Sequence, residues 1–464
     1  MRLLKTKRPL FALLLFSVLI SVFTLSASAL EYRDDLKIKV GLEFGTTSPK
    51  QAQFTSESGF KIISFDESTY AEEILFETAQ TGLTVKNTSG IATVHISDGT
   101  EVYRSESETL YIAGADGALR YKDGTYLDVI KIFCKDGLMR VINIVEFEKY
   151  IKGVLPREIY PSWPDEALKT AAIVARTFGF YSLGGKHQKY GVDVCTTSCC
   201  QVFGGNGENE HPATNAAVDA TKNIILAYNG KVAMAVYTSS AGMHTESSFG
   251  AWGGDQSQHP YLAGVPTFHE TPEEYPRGTW SGTYSNEEIL AYINSKSAYA
   301  GKLKGVIDSI VLEYGETGYA RKITVTDIYG SSVSAKNSDN VRGMISKFVR
   351  SACVKIVPNY DQPTSASVLT ADGIKTTTSL PASSYVLRAD TGDTPVNLFE
   401  ITTSPVSFTI SGTGWGHGVG LSQFGAMTLA KSGCTYQQIL ALYYPGTYFT
   451  TPSGLAAEKA GSAQ

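Results

Sequence analysis

The chain has 464 residues, and 42% of them are hydrophobic, which is enough to bury a sizeable core in two or three domains. Its formal net charge is -5 and its pI about 5.9, which excludes the basic footprint of a nucleic-acid-binding protein. The 26 tyrosines and 44 glycines suit strands, turns and sugar-facing aromatic surfaces, and equally any β-rich core.

The N-terminus resembles an export signal. Basic residues from Arg2 to Arg8 precede an uncharged apolar run over Leu10 to Leu25, and Ala27-Ser28-Ala29 matches a cleavage site. The run is short for a spanning helix, so residues 1–29 are interpreted as a signal peptide, with an uncleaved membrane anchor as the alternative. In both cases the rest of the chain is expected to be extracytoplasmic, either secreted or anchored at the outer face of the cytoplasmic membrane.

The remaining chain divides by pattern into two units and a tail. Residues 32–128 contain short alternating runs such as Leu36 to Leu42, which predict a β-rich accessory domain for wall binding, partner binding or spacing. Residues 129–450 mix helices and strands without βαβ repeats, so the predicted fold class is α+β, with these elements forming a cleft. Residues 451–464 are predicted to be a disordered tail.

A helix is predicted after residue 162. Ser162 could cap it, Pro164 lies in the predicted first turn, and small apolar residues recur at helical spacing from Ala167 to Phe178. Gly184-Gly185 ends the pattern.

Glu158 lies just before this helix, between Pro156 and Pro161. Its apolar and aromatic neighbours could desolvate the carboxyl and raise its pKa, as a general acid at neutral pH requires. The alternative, which local physics alone favours, is a surface carboxylate paired with Arg157.

Three cysteines cluster at Cys195, Cys199 and Cys200, downstream of His187. Such residues could supply soft ligands for zinc. Adjacent cysteines rarely bind the same metal ion, so a disulfide or free thiols are equally consistent with the spacing.

Two further segments combine hydroxyl, aromatic and glycine residues. Ser239 and Ser240 follow a predicted strand, and a glycine-rich turn carries Trp415 and His417 ahead of Gln423, at the start of a predicted helix. Neither segment has the G-x-S-x-G elbow of a serine hydrolase or a nucleotide-binding G-x-G-x-x-G motif in a βαβ unit. Both are interpreted as walls of a sugar cleft, with ordinary turn packing as the alternative.

Taken together, these segments resemble the stage II sporulation protein D family, which includes the related amidase-enhancer domains. The resemblance spans roughly residues 130–450. The motifs that carry it are Val154-Leu-Pro-Arg-Glu158, Ser162-Trp-Pro-Asp-Glu-Ala-Leu-Lys169, Val174-Ala-Arg-Thr177, Asp193-Val-Cys195, Cys200-Gln-Val202, Ser239-Ser-Ala-Gly242, Trp252-Gly253, Gly414-Trp-Gly-His-Gly-Val-Gly-Leu-Ser-Gln423 and Tyr443-Tyr-Pro-Gly-Thr447.

The resemblance implies a peptidoglycan lytic transglycosylase that acts on glycan strands without stem peptides, and it places the catalytic acid on Glu158. One carboxyl would act first as acid and then as base, leaving 1,6-anhydro-MurNAc ends. The implied partners are glycan strands, a cell-wall amidase and a membrane scaffold protein. The implied setting is wall remodelling, including sporulation engulfment. The alternative is a non-catalytic, wall-binding amidase enhancer.

The family also includes zinc-binding members, whose ligands lie in an Asp-Val-Cys…His-Cys-Gln pattern. Here Cys195 and Cys200 match that pattern, Cys199 stands where the histidine would be, and His187 could match an upstream ligand. The chemistry requires no cofactor, so a zinc ion held by His187, Cys195 and Cys200 would be structural.

Overall fold

The computed structural model describes residues 35–271, 275, 278–360 and 404–461, together with the backbone of four short strands between 366 and 401. The predicted signal or anchor segment, residues 1–29, lies outside the described residues. None of the helices within these ranges has both the length and the hydropathy needed to cross a membrane.

Two β-sheets form the N-terminal half, with strands numbered along the chain. The seven-stranded sheet has the order β13 (Val194–Cys195), β1 (Lys37–Glu43), β12 (Leu138–Glu146), β11 (Val129–Lys135), β8 (Thr109–Gly114), β3 (Phe60–Phe65) and β4 (Glu72–Thr78). The six-stranded sheet has the order β10 (Gly124–Leu127), β9 (Ala118–Tyr121), β2 (Gln51–Thr55), β5 (Gly82–Thr88), β6 (Ile91–His95) and β7 (Glu101–Arg104). Alternate side chains of both sheets enter one core, as the period of a half-buried strand requires.

The seven-stranded sheet joins the two predicted domains. Strand β1 belongs to the predicted accessory domain, yet it lies between β12 and β13, which belong to the predicted catalytic domain. The domain boundary at residue 128 stays a prediction. It does not correspond to an edge of the seven-stranded sheet, which contains strands from both sides of it. Alternation reveals that a segment is a strand but not which strand it pairs with, so this shared sheet could not be predicted.

Nine helices lie within the described residues: α1 (Phe147–Glu158), α2 (Asp165–Ser182), α3 (Pro212–Ala220), α4 (Ser248–Trp252), α5 (Asn286–Ser295), α6 (Ser338–Met344), α7 (Gln423–Lys431), α8 (Tyr436–Tyr443) and α9 (Pro452–Gly461). Helix α2 begins one residue after Pro164, which occupies the N-cap position expected for Ser162. A buried bidentate pair joins α1 to α2, in which the Arg176 guanidinium donates to both carboxylate oxygens of Glu148 at 2.7 Å.

Shorter sheets complete the C-terminal half. They are β15 (Lys231–Val232) with β14 (Ile225–Tyr228) and β28 (Tyr448–Thr450); β16 (Tyr237–Thr238) with β27 (Leu421–Ser422); β17 (Thr279–Ser285) with β26 (Ser407–Thr413) and β21 (Val354–Asn359); β18 (Ile307–Tyr314) with β19 (Ala320–Asp327) and β20 (Ser332–Lys336); β22 (Ala366–Thr370) with β23 (Gly373–Thr377); and β24 (Tyr385–Ala389) with β25 (Val396–Ile401). The fold is therefore mixed α+β, as predicted.

The predicted disordered tail needs correction. Residues Pro452–Gly461 form α9, and Leu455 is fully buried in the core that lies between the N-terminal sheets and α1. The alanine-rich composition of this segment favours a helix, and burying one leucine anchors it. Residues 462–464 lie outside the described residues.

Candidate active site

Glu158 is the last residue of α1, rather than part of a rigid turn between the two prolines. Its carboxylate Oε1 accepts a hydrogen bond from the backbone N–H of Val202 at 2.7 Å. The neighbouring Arg157 turns away and donates to the side-chain oxygen of Asn209. The surface pair between Glu158 and Arg157, the alternative from the sequence, is therefore not the observed arrangement.

Three buried polar groups orient this carboxyl. The Tyr150 hydroxyl donates to the Gln201 side-chain oxygen at 3.1 Å, and the Gln201 amide donates to the Tyr237 hydroxyl at 3.3 Å. The Tyr237 hydroxyl is then free to donate its own proton to Glu158. The chain of bonds therefore fixes both the position of the carboxyl and the direction of the bond that it accepts.

Burial raises the pKa of the Glu158 carboxyl above its ordinary value. The hydrogen bonds from Val202 and Tyr237 stabilise the charged form and offset only part of this effect. Burial also raises the pKa of the Tyr237 hydroxyl well above its ordinary value, so that hydroxyl keeps its proton at neutral pH. A carboxyl in this setting holds its proton at a higher pH than a surface glutamate does.

A pocket of about 280 Å³ opens beside Glu158. Aromatic rings form much of its wall: the Trp163 and Phe424 ring centroids are 4.8 Å apart, and the Tyr275 and Phe424 rings stack at 3.6 Å. Tyr160 adds a further ring, which is 56% exposed. Flat apolar faces next to a carboxyl suit a ligand with apolar C–H faces and polar edges, as a sugar ring has.

The predicted substrate-binding residues divide into two groups. Ser239 and Gln423 line the Glu158 pocket, and the Gln423 amide donates to the Glu158 backbone carbonyl at 2.9 Å. Ser240, Trp415 and His417 are not among the described residues that line it. Ser240 lines a smaller adjoining cavity of about 60 Å³, and Trp415 is 37% exposed beneath the Arg350 guanidinium, 4.8 Å from the ring centroid.

His417 is held as a neutral imidazole. Its Nδ1 accepts from the Val419 N–H at 3.0 Å, and its ring lies 5.2 Å from that of Trp252. Burial lowers the pKa of His417 to about 4, so it is uncharged at neutral pH. The glycines of this loop permit close backbone approach: a Cβ on Gly420, which has φ +75°, would lie 2.0 Å from the Val236 carbonyl oxygen.

The cysteine cluster lies just before Val202 in the chain. The ligand atoms of His187, Cys195, Cys199 and Cys200 all lie within 4.8 Å of one another. The Cys200 thiol lowers the pKa of Cys195 to about 4 by hydrogen bonding, while the pKa of Cys200 itself is raised. The structure thus brings the three predicted ligands together and adds Cys199, which stands where the zinc-binding members of the family have a histidine.

The groups that orient Glu158 were not identified from the sequence. Val202 and Gln201 belong to a quoted motif but had no assigned role, and Tyr237 lies in the predicted strand before Ser239, where nothing distinguished it. The only available signal was Gln201, a glutamine between apolar residues. The sequence alone does not show which groups its side chain hydrogen-bonds.

Comparisons with known proteins show which family domain and which relatives this chain resembles. A family model described as SpoIID, stage II sporulation protein, matches residues 135–228, which include Glu158 and the cysteine cluster. The chain is 30% identical over 316 residues to the amidase enhancer of Bacillus subtilis (strain 168), across 65% of this chain and 40% of that protein. It therefore spans less than half the length of that relative.

Two other relatives are covered more fully. The chain is 24% identical over 321 residues to the stage II sporulation protein D of B. subtilis (strain 168), across 66% of this chain and 75% of that protein. It is 29% identical over 308 residues to an uncharacterised protein of Brachyspira hyodysenteriae, across 66% and 67% of the two chains. The family model defines the class, a protein with a stage II sporulation domain. With the two named relatives it supports a place for this chain in the stage II sporulation protein D family.

Proposed function

We propose that the protein is a lytic transglycosylase that cleaves the MurNAc–GlcNAc bond of peptidoglycan strands lacking stem peptides. The observation that supports it best is the Glu158 carboxyl, whose pKa is raised by burial beside an aromatic pocket. The proposed place of action is outside the cytoplasm, on wall glycan and alongside a cell-wall amidase and a membrane scaffold protein.

The proposed reaction needs one residue in two protonation states. Protonated Glu158 donates its proton to the oxygen linking the two sugars as the bond from muramyl C1 to that oxygen breaks. The resulting carboxylate removes the proton of the muramyl C6 hydroxyl, whose oxygen bonds to C1 and closes the 1,6-anhydro ring. Glu158 regains in the second step the proton that it lost in the first. The reaction therefore needs neither a water molecule nor a second carboxylate.

The groups around Glu158 suit both steps. The raised pKa keeps the acid protonated for the first step, while the Val202 N–H and the Tyr237 hydroxyl stabilise the carboxylate that performs the second. The aromatic wall offers flat apolar surfaces to the sugar rings beside the bond being broken.

Glu158→Gln tests the proposal, because glutamine keeps the shape but cannot donate an acidic proton. Mass spectrometry of denuded glycan digests should show anhydro-muramyl products from the unmodified protein, and at least about 10²-fold fewer from the variant. Glu208→Gln, which removes an exposed carboxylate paired with Arg120, is the matched control and should act normally. Native rates of anhydro product from Glu158→Gln would disprove the assignment.

The second candidate function is a wall-binding enhancer of a separate amidase. The relative named amidase enhancer favours it, although this chain covers only 40% of that protein. An enhancer should bind glycan and stimulate a purified cell-wall amidase, and Glu158→Gln should not change either effect. Stimulation without anhydro products would select this function over the first.

We also propose a structural zinc ion bound by His187, Cys195, Cys199 and Cys200. Three sulfurs and one imidazole nitrogen within 4.8 Å of one another fit a tetrahedral Cys₃His site, whose Zn–S bonds are about 2.3 Å long. The lowered pKa of Cys195 favours the thiolate that binds metal. Such an ion would fix the segment that presents the Val202 N–H to Glu158.

A further inference from the structure

A second buried carboxyl lies behind the Glu158 pocket. Glu270 is 7% exposed, and its Oε2 accepts hydrogen bonds from the Ser240 hydroxyl at 2.7 Å and from the Ala241 N–H at 3.3 Å. The Ser422 hydroxyl is a further hydrogen-bond partner. The proposed reaction uses no atom of Glu270, and no quoted family motif contains it.

The segments that meet at this carboxyl supply three parts of the pocket wall. Ser240 and Ala241 directly follow Ser239. Ser422 is the N-cap of α7, accepting from the Gly425 N–H, and α7 begins with two pocket residues. Tyr275, which also lines the pocket, follows Glu270 closely in the same segment of the chain.

The parts of the wall that Glu270 joins also contact one another. The Phe424 N–H donates to the Ser239 carbonyl at 3.0 Å, and the Tyr275 ring stacks on the Phe424 ring at 3.6 Å. Gln423, one residue earlier, holds the Glu158 backbone carbonyl. A shift at Glu270 would therefore move the aromatic wall relative to Glu158.

We propose that Glu270 is a positioning residue of the Glu158 pocket, whose buried carboxyl holds Ser239, Phe424 and Tyr275 in one arrangement. The inference rests on the proposed function only in the experiment that measures glycan binding. The geometry itself can be tested without a ligand.

The protonation state of Glu270 gives the test a second readout. Its Oε1 is buried and has no hydrogen-bond partner among the described residues, and burial raises the pKa of the carboxyl to about 7. The titratable groups nearby are His269 on the same segment, Tyr443 from α8 and Tyr319, which directly precedes β19. Burial lowers the pKa of His269 and raises those of both tyrosines, so Glu270 is the member of this set that gains charge near neutral pH.

Three variants test the role. Glu270→Ala removes the hydrogen-bond acceptor, and Glu270→Gln keeps the shape and an acceptor oxygen. Glu246→Gln is the matched control, since Glu246 is likewise a buried carboxylate but holds Ser247, Thr317 and Arg321, none of which lines the pocket.

Hydrogen exchange measured by mass spectrometry reports on the pocket without a ligand. In Glu270→Ala, exchange in segments 239–242 and 422–425 should rise about tenfold, equivalent to ~1.4 kcal/mol of local opening free energy. Glu270→Gln should stay within about threefold of the unmodified protein. Equal exchange in Glu270→Ala and Glu246→Gln at these segments, or a uniform rise along the chain, would overturn the proposal.

If Glu270→Ala does not fold, the pH dependence of hydrogen exchange in the unmodified protein and in Glu270→Gln tests the proposal instead. After correction for intrinsic rates, exchange at these segments in the unmodified protein should rise between pH 6 and 8, and Glu270→Gln should lack that rise. Identical profiles for the two proteins would overturn the proposal.

Glycan binding adds the functional readout. In a Glu158→Gln background, which stops turnover, Glu270→Ala should bind denuded glycan about tenfold more weakly than Glu270→Gln does. If the unmodified protein neither binds nor cuts glycan, the proposed function fails, while the exchange data still decide the role of Glu270.

Discussion

The titration of Glu270 predicts a measurable dependence of stability on pH. The pKa of this carboxyl is about 7 in the folded protein, against 4.5 as the ordinary value. Between these pH values the folded state keeps a proton that the unfolded chain has released, so folding becomes less favourable as pH rises through the window. The difference of about 2.5 between the two pKa values corresponds to ~3 kcal/mol, lost progressively from about pH 4.5 to 7.

Glu270→Gln isolates this contribution, because glutamine does not titrate. Urea unfolding of both proteins at intervals from pH 4 to 8 gives the difference in unfolding free energy at each pH. The unmodified protein should lose ~3 kcal/mol relative to the variant across this range, with little further change above pH 8. A difference that stays constant with pH would show that Glu270 titrates normally and would refute the argument from burial.

Three further predictions concern other parts of the molecule. Tyr237→Phe removes a donor that stabilises the Glu158 carboxylate, so the alkaline limb of the pH–rate profile should move to higher pH and the rate should fall about 10- to 100-fold; an unchanged profile would remove Tyr237 from the site. The purified protein should contain about one zinc per chain and Cys199→Ser much less, as elemental analysis would show; equal content in both would exclude Cys199 as a ligand. Leu455→Ala should lower the unfolding free energy by about 2–5 kcal/mol in urea titrations, and a change below about 0.5 kcal/mol would mean that α9 does not anchor the chain.

The sequence indicated the fold class and nominated Glu158 as the acid, because both inferences use local signals. Strand alternation and the small residues of α2 predicted mixed sheets and helices, and a motif singled out Glu158. The pairing of β1 with β12 and β13 joins residues about a hundred or more positions apart, and no local pattern encodes such pairings. The tail was mispredicted for the same reason, since the burial of Leu455 depends on a distant core.

The properties that make Glu158 a candidate acid are non-local in the same sense. Its immediate neighbours favoured a surface carboxylate, whereas Val202 and Gln423, two of its hydrogen-bond partners, lie 44 and 265 residues further along the chain. Glu270 shows the converse: in the sequence it is one of three glutamates in five residues, and nothing local distinguishes it. The pKa of a carboxyl depends on what the fold packs around it, so residue type and spacing can nominate an acid, but only tertiary packing can separate an acid from a positioning residue. The two buried carboxyls therefore call for different experiments, product analysis for Glu158 and pocket order for Glu270.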